Sequence, residues 1–309
     1  MVNLKIDIPE GFLDEEVRCG YTISSKMKEV WAVQLDLFAE FDRVCRKYDI
    51  KYVASGGTLL GAVRHHGYIP WDDDMDLMLM RDQYDKLCQV APLEFQHPYF
   101  FQTEETDPGF HRWFARLRNS ETTAIQKYEI PYHFKYNQGI FIDIFPMDGV
   151  ADNQKRSLQQ QKISFYKSIY FKSLVVEKSF WSDNESPCKR WKKMIAHFLF
   201  GKLVGYTPVT RWAWRKVDDI FKWYSNDETE FVSLLSFEFN NLHHEVRSSY
   251  LNDIIEVDFE FMKIPIFASF DEHLRLKYGD YMTPMKSPNY HGDVIFDTNV
   301  SYMTYLKIK

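Results

Sequence analysis

The 309-residue chain predicts an α+β fold, a mixed β-sheet core flanked by helices with a helical insertion or subdomain. Three observations carry that expectation. Apolar residues recur every three or four positions through Val30, Val33, Leu37, Phe41 and Val44, the period of a helix with a buried face. Two runs, DLMLM at 76–80 and GIFIDIF at 139–145, are apolar enough to be buried strands. Beyond residue 150 the pattern turns helical, polar and aromatic, with few glycines.

Taken in order, residues 24–48 form the first helix, and KYVASGG at 51–57 a short strand ending at a double glycine. TLLGAVRHHG at 58–67 follows as a short helix stopped by Gly67, a residue free to take positive φ at a C-cap. The second half of DDDMDLMLM at 72–80 is a strand, and RDQYDKLCQVA a helix. FHRWFARLRNSETTAI at 110–125 reads as one long strand or a hairpin. NQGIFIDIFPMDGV at 137–150 is the clearest strand, opened after Gly139 and closed by Pro146. Residues 270–282 form an amphipathic helix ending at Gly279, followed by a loop rich in Pro and Tyr. The expected organisation is a catalytic core at 1–150, a helical basic-aromatic subdomain at 151–250 and a C-terminal segment at 251–309 packing back on the core. No internal repeat is present, which excludes a solenoid.

Composition narrows the class. With 25 Phe, 19 Tyr, 8 Trp and 45% hydrophobic residues, the chain has ample material for a core. A formal charge of −6 argues against a general nucleic-acid binder. The four cysteines stand far apart without zinc spacing and are expected to be free thiols in a reducing compartment. MVNLKIDIPEGF lacks the basic patch and apolar run of a signal peptide. No run approaches about 18–20 apolar residues, so a cytoplasmic protein is expected, with contact at a membrane's inner face left open. The stretch 189–216 bears on that contact. It holds eight Lys/Arg and no acid, interleaved with aromatics. It suits either an anionic membrane surface or a helix pair packed on the core with solvated charges.

The chemistry concentrates in acids. Asp74 and Asp76 stand two apart at the start of an apolar strand, so they point the same way with Cα atoms roughly 7 Å apart. Asp143 lies inside a second apolar strand. Several buried carboxylates repel one another, so a metal or an Arg/Lys partner must compensate them. The bland alternative is helix capping or pairing with Arg81, Arg116 or Arg118. Oxygen-only ligands select Mg²⁺ or Mn²⁺ over zinc, and such ions serve phosphoryl transfer. Upstream, Gly56, Gly57 and Thr58 sit between a strand and a helix, where glycines let backbone approach a phosphate. A double glycine, then Asp-x-Asp opening a strand, then a later single acid fits the nucleotidyltransferase-fold pattern.

The run SGGTLLGAVRHHGYIPWDDDMDLMLMRDQYDKL resembles the signature of the LicD family, bacterial phosphocholine transferases related to fukutin-type ribitol-phosphate transferases. GIFIDIFPMDGV resembles that family's second block and FDEHLRLKYGDYM its C-terminal block. The resemblance implies a nucleotidyltransferase-like fold, a CDP-choline-type donor, and transfer of phosphocholine to a sugar hydroxyl of a cell-surface glycan or teichoic acid precursor. It implies Asp74, Asp76 and Asp143 as metal ligands and catalytic residues, and Gly56, Gly57 and Thr58 as the donor-phosphate loop. The loop after YGDYM matches only loosely, which leaves His291 and Asp293 as weak candidates.

Around these, Arg64 is a candidate phosphate contact, with His65 and His66 behind it, against the alternative of a solvated helix end. Of Arg116 and Arg118, at least one should meet an acid or a phosphate, with Arg116 the candidate substrate contact. A quaternary ammonium needs aromatic faces, for which Tyr68 and Trp71 are the candidates. Asp143 is a candidate general base or purely a ligand. Two other functions compete. One is a CTP-dependent nucleotidyltransferase making a CDP-activated alcohol; the other is a non-catalytic choline- or glycan-binding protein.

Overall fold

A computed structural model describes residues 1–174, 181–204, 208–236, 245–285 and 294–307. The chain opens with a hairpin of β1 (Glu16–Arg18) and β2 (Tyr21–Ile23) and enters α1 (Ser25–Lys47). Ser24 caps that helix by accepting from the Met27 N–H at 3.3 Å. β3 (Val53–Ala54), α2 (Gly56–His65), β4 (Asp76–Met80), α3 (Arg81–Glu94), β5 (Tyr99–Gln102), β6 (Ala115–Asn119), β7 (Thr123–Gln126) and β8 (Ile140–Gly149) follow. Then come α4 (Asn153–Leu174), α5 (Pro187–Val204), α6 (Val209–Phe221), β9 (Phe231–Ser233) and β10 (Glu245–Arg247). The chain closes with β11 (Ile254–Phe259), β12 (Met262–Phe267), α7 (Phe270–Tyr278), β13 (Val294–Asp297) and α8 (Tyr302–Tyr305).

The central sheet runs β10-β9-β8-β4-β3, with β6 on the other flank of β8 and β5 beyond it. It is mixed: β4 and β8 are parallel, whereas β8 runs antiparallel to both β6 and β9. The ten residues of β8 are all buried, which is why this strand reads as a continuous apolar run. Leu77, Leu79, Ile142, Ile144, Ala115 and Leu117, all fully buried, belong to a core that includes Trp31, Leu35 and Phe38 of α1. A second apolar cluster joins α4 and α6 through Ile163, Tyr170, Val217 and Phe221, with Trp113. Arg81 ties the two regions together. It donates to both Asp148 oxygens at 2.6 and 2.7 Å and to Asp218 of α6 at 3.4 Å.

Several expectations need correcting. Pro146 does not close β8, which runs on to Gly149. The Asp143 N–H points to β4, donating to Met75 O at 2.8 Å, so by alternation position 146 points to the opposite edge. There β6 has ended at the Ile144 pair and β9 begins at Asp148, so the missing N–H is not needed. Residues 110–125 do not form a hairpin either: β6 joins the central sheet while β7 pairs with β13. Among the described residues of 151–250 the last α-helix ends at Phe221, after which β9 and β10 extend the central sheet. Finally, His66 rather than Gly67 takes the left-handed position after α2, at φ 53°. Gly67 is needed for another reason, since a Cβ there would collide with the Glu260 carboxylate. That carboxylate is held by both Arg18 Nη atoms at 2.6 and 2.8 Å and accepts from the Tyr68 N–H at 3.1 Å.

Cys19, Cys45, Cys88 and Cys188 are free. Among the described residues, no helix is long and apolar enough to cross a membrane.

Candidate functional site

The parallel register of β4 and β8 pairs Asp76 with Asp143, and the antiparallel register of β6 and β8 pairs Arg116 with the same Asp143. Side chains directly opposite on neighbouring strands share a face, so the three form one row across the sheet. Arg116 Nε reaches Asp143 Oδ1 at 2.5 Å and Nη2 reaches Oδ2 at 3.2 Å, a two-pronged ion pair in which both residues are buried. The guanidinium also lies 3.7 Å from the Phe141 ring centroid. Asp76 and Met78, Asp143, Phe145 and Met147, and Arg116 alternate with core residues and line a cavity of about 1100 Å³. Alternation along three strands thus turns the acids and Arg116, with Met78, Phe145 and Met147, to the cavity and the remaining apolar residues to the core.

The loop before β4 brings further acids. Carboxylate oxygens of Asp72, Asp73 and Asp74 all lie within 4.8 Å of one another, a cluster that could hold a metal ion. Among the described residues it is this set, and not Asp74, Asp76 and Asp143, that meets such a separation. The loop is clamped from α1, where Trp31 Nε1 donates to Asp72 O at 3.1 Å and Gln34 Nε2 to Asp73 O at 2.8 Å. From α2 the Thr58 hydroxyl accepts from the Asp76 N–H at 2.8 Å. The double glycine makes the first turn of α2 instead of preceding it. Gly56 has φ +52°, and a Cβ there would lie 3.2 Å from Asp76 Oδ2; one on Gly57 would lie 2.6 Å from Asp72 Oδ2. These glycines therefore make room for the acids beside the helix N-terminus.

Cations and aromatic rings complete the cavity. Lys277 and Tyr278 of α7 line it beside the acids. Burial pushes the Lys277 ammonium down, opposed by the charge of Asp76. Burial, with Asp76 and Asp72, pushes the Tyr278 phenol up to about 12. Burial takes the Lys167 ammonium down to about 8; it donates to Ser236 O at 3.0 Å and stands 5.0 Å from the Trp113 ring. Arg112 pairs with Glu129 at 3.2 Å. Behind it, buried Glu104 accepts from the His111 N–H at 2.6 Å and the Gly109 N–H at 3.3 Å, fixing His111 at φ 43°. Burial pushes the Glu104 carboxyl up to about 7 and the His111 imidazole down to about 3.

Of the residues singled out by sequence, Asp74, Asp76, Asp143, Gly56, Gly57, Arg64, Trp71 and Arg116 line the cavity. Arg64 also spans to the C-terminal block, donating to Tyr281 O at 2.7 Å and to His65 Nε2 at 2.9 Å. Trp71 stands edge-on to Tyr21 and His65. Thr58 and Tyr68 do not line it. The Thr58 hydroxyl is used to hold β4, and Tyr68 is buried with its ring stacked 4.6 Å from Trp31. Arg118 turns away to Gly139 O at 2.7 Å, and burial beside Arg116 pushes it down to about 9. His291 and Asp293 lie outside the described residues. Sequence reasoning gave no role to Asp72, Asp73, Arg112, Lys167, Lys277 or Tyr278. The unbroken triplet of acids was visible; the others are brought in by tertiary packing.

Residues 49–180 match the profile of the nucleotidyltransferase domain of LicD, FKTN and FKRP proteins. The chain is similar to the lipopolysaccharide cholinephosphotransferase LicD of Haemophilus influenzae, at 26% identity over 260 residues, 83% of this chain and 91% of that one. A shorter similarity, 42% over 80 residues, joins it to the uncharacterized protein RP689 of Rickettsia prowazekii, covering 26% of this chain and 28% of that one.

Proposed function

We propose, on the premise that residues 49–180 match the nucleotidyltransferase domain of LicD, FKTN and FKRP proteins, that the chain transfers phosphocholine, or a similar phospho-alcohol, from a CDP-linked donor to a sugar hydroxyl of a cell-surface glycan precursor. The observation that carries the proposal is the row Asp76–Asp143–Arg116 facing a cavity with further acids at one end and aromatic rings around it.

The residues divide the work by their chemistry. The oxygen-only donors Asp72, Asp73 and Asp74 suit Mg²⁺ or Mn²⁺, with Asp76 beside them. A divalent cation bound there would supply neutralisation of the diphosphate charge. Besides Arg116, the residues Arg64, Arg112, Lys167 and Lys277 offer positive charge in the cavity. The attacking sugar oxygen forms a bond to the alcohol-side phosphorus, the bond from that phosphorus to the bridging oxygen breaks, and CMP leaves. The hydroxyl proton passes to a carboxylate of the row. Asp143 serves here, its carboxylate oriented by the two-pronged contact with Arg116, which leaves each oxygen a further lone pair. Trp71, Trp113, Phe145 and Tyr281 present apolar faces suited to a quaternary ammonium, which cannot donate hydrogen bonds.

The deciding experiment incubates the chain with CDP-choline, Mg²⁺ or Mn²⁺ and glycan precursors. Release of CMP that depends on metal and acceptor is expected. Pyrophosphate release from CTP and phosphocholine would assign nucleotidyl transfer instead, and choline binding without turnover or metal dependence would assign a binding protein.

A further inference from the structure

Helix α5 is built with its faces reversed. At 3.6 residues per turn, Trp191, Met194, Ile195, Phe198 and Leu199 fall on one stripe. That stripe faces solvent, with exposures of 63, 55, 39, 88 and 56% respectively. The opposite side holds polar groups. Lys193 is 8% exposed and pairs with Glu185, while His197 sits edge-on to Trp181 at 5.8 Å. An ordinary amphipathic helix would bury the first stripe and expose the second.

The charges beside the stripe are basic. Lys189, Arg190 and Lys192 are exposed on the first turns of α5, and no acid occurs from Ser186 to Val217. Arg190 also reaches Asp183 at 3.1 Å and Lys189 lies 3.9 Å from Glu185, both at the exposed start of the helix, whereas other basic residues of the stretch are engaged elsewhere in the fold. On α6, Arg211 and Arg215 pair with Glu105, Lys216 pairs with Asp219 at 3.2 Å, and Thr210, Ala213 and Val217 are buried.

We propose that α5 is an in-plane membrane anchor, laying Trp191, Met194, Ile195, Phe198 and Leu199 into the headgroup–acyl boundary of an anionic bilayer while Lys189, Arg190 and Lys192 meet its phosphates. The assignment rests on the exposed apolar stripe of α5 together with the exposed basic residues on its first turns, the combination that interfacial helices share. It goes beyond the proposed transfer reaction and does not depend on which group is transferred. A bilayer suits this ridge better than a protein partner, because lysine, present here at Lys189 and Lys192, is depleted at protein interfaces and favoured beside anionic headgroups.

The full chain would be sedimented with sucrose-loaded vesicles of phosphatidylcholine alone or with about 30% phosphatidylglycerol, a content chosen to mimic an anionic leaflet. Binding to the anionic vesicles that weakens with salt is expected. Trp191→Glu/Phe198→Glu should lower it by roughly tenfold or more, since each substitution removes a ring from the apolar boundary. Thermal unfolding should be unchanged, because both side chains are exposed. CMP release from a water-soluble acceptor should also be equal in the variant, which separates failure of docking from failure of the transfer reaction. The proposal is overturned if the wild-type chain stays in the supernatant or if the variant binds as well as wild type. It is also overturned if light scattering shows a dimer that the variant splits without any vesicle binding, which would make the ridge a self-association face.

Discussion

Replacing Arg116 by Met tests whether the row across the sheet is an electrostatic unit. The substitution keeps apolar bulk against the Phe141 ring and removes the guanidinium that holds both Asp143 oxygens. With the two side chains only 7 and 9% exposed, the carboxylate left behind is buried without its partner. Breaking a buried pair in this way costs about 3–5 kcal/mol. At about 2 °C per kcal/mol for a large domain, Tm should drop by roughly 6–10 °C. Asp143→Asn alone should destabilise for the mirror reason, by leaving the guanidinium unmatched. The double variant Arg116→Met/Asp143→Asn should recover much of the loss, with a coupling of about 1–3 kcal/mol in a thermodynamic cycle. Urea and thermal unfolding of the four proteins supply the cycle. Single losses that add to within about 0.5 kcal/mol in the double variant would refute the coupling. A Tm for Arg116→Met within about 2 °C of wild type, less than the pair is worth, would refute the charge compensation itself.

Three further outcomes follow from particular contacts. Glu104 is raised by burial to about 7 from its ordinary 4.5, so the folded chain holds the proton more tightly than the unfolded one. Its contribution is therefore fullest below 4.5 and is lost as pH rises toward about 7; Glu104→Gln should flatten that part of the stability profile, and an unaltered slope in urea titrations would exclude the effect. Gly57→Ala puts a methyl 2.6 Å from Asp72 Oδ2, the movable end of a side chain, so folding should change by less than about 1 kcal/mol while the acid cluster is displaced. Mn²⁺ titration should show roughly tenfold weaker binding in that variant, and unchanged affinity would remove Asp72 from the ion's ligands. Trp71→Ala should weaken binding of a choline-bearing donor by roughly two- to thirtyfold, the worth of one cation–π face, without a matching loss for CMP. Equal losses for both ligands would place the indole against the nucleotide instead.

The parts of the fold fixed by local pattern were legible in the sequence. Helix α1 announced itself by its apolar period, and β4 and β8 by runs that only burial on both faces explains. Partner choice was less so, because pairing depends on distant segments. Nothing local told β6 to leave β7 for β8, or returned 231–233 and 245–247 to the sheet. The candidate site divides in the same manner. The acids and the glycines stand out because their types are unusual beside apolar strands. The hold of Thr58 on the Asp76 N–H, the stack of Tyr68 on Trp31 and the arrival of Lys277 in the cavity that Asp76 lines are facts of packing. The choice between Arg116 and a metal as the neutraliser of Asp143 was open in the sequence; in the structure Arg116 takes that place.

Strand β8 is flanked at Asp143 by β4 on one side and β6 on the other, and farther along, at Asp148, it is gripped by Arg81 while pairing with β9. A slip of one residue would rotate every side chain of the strand to the opposite face, exchanging Asp143 for Ile142 or Ile144 and breaking the grip on Asp148 together. Such a chain has no halfway version of its centre: insertions and deletions should be tolerated in outlying loops but eliminated between Ile140 and Gly149. The lineage could thus vary what it recognises at the rim while inheriting this ten-residue span as a single indivisible unit.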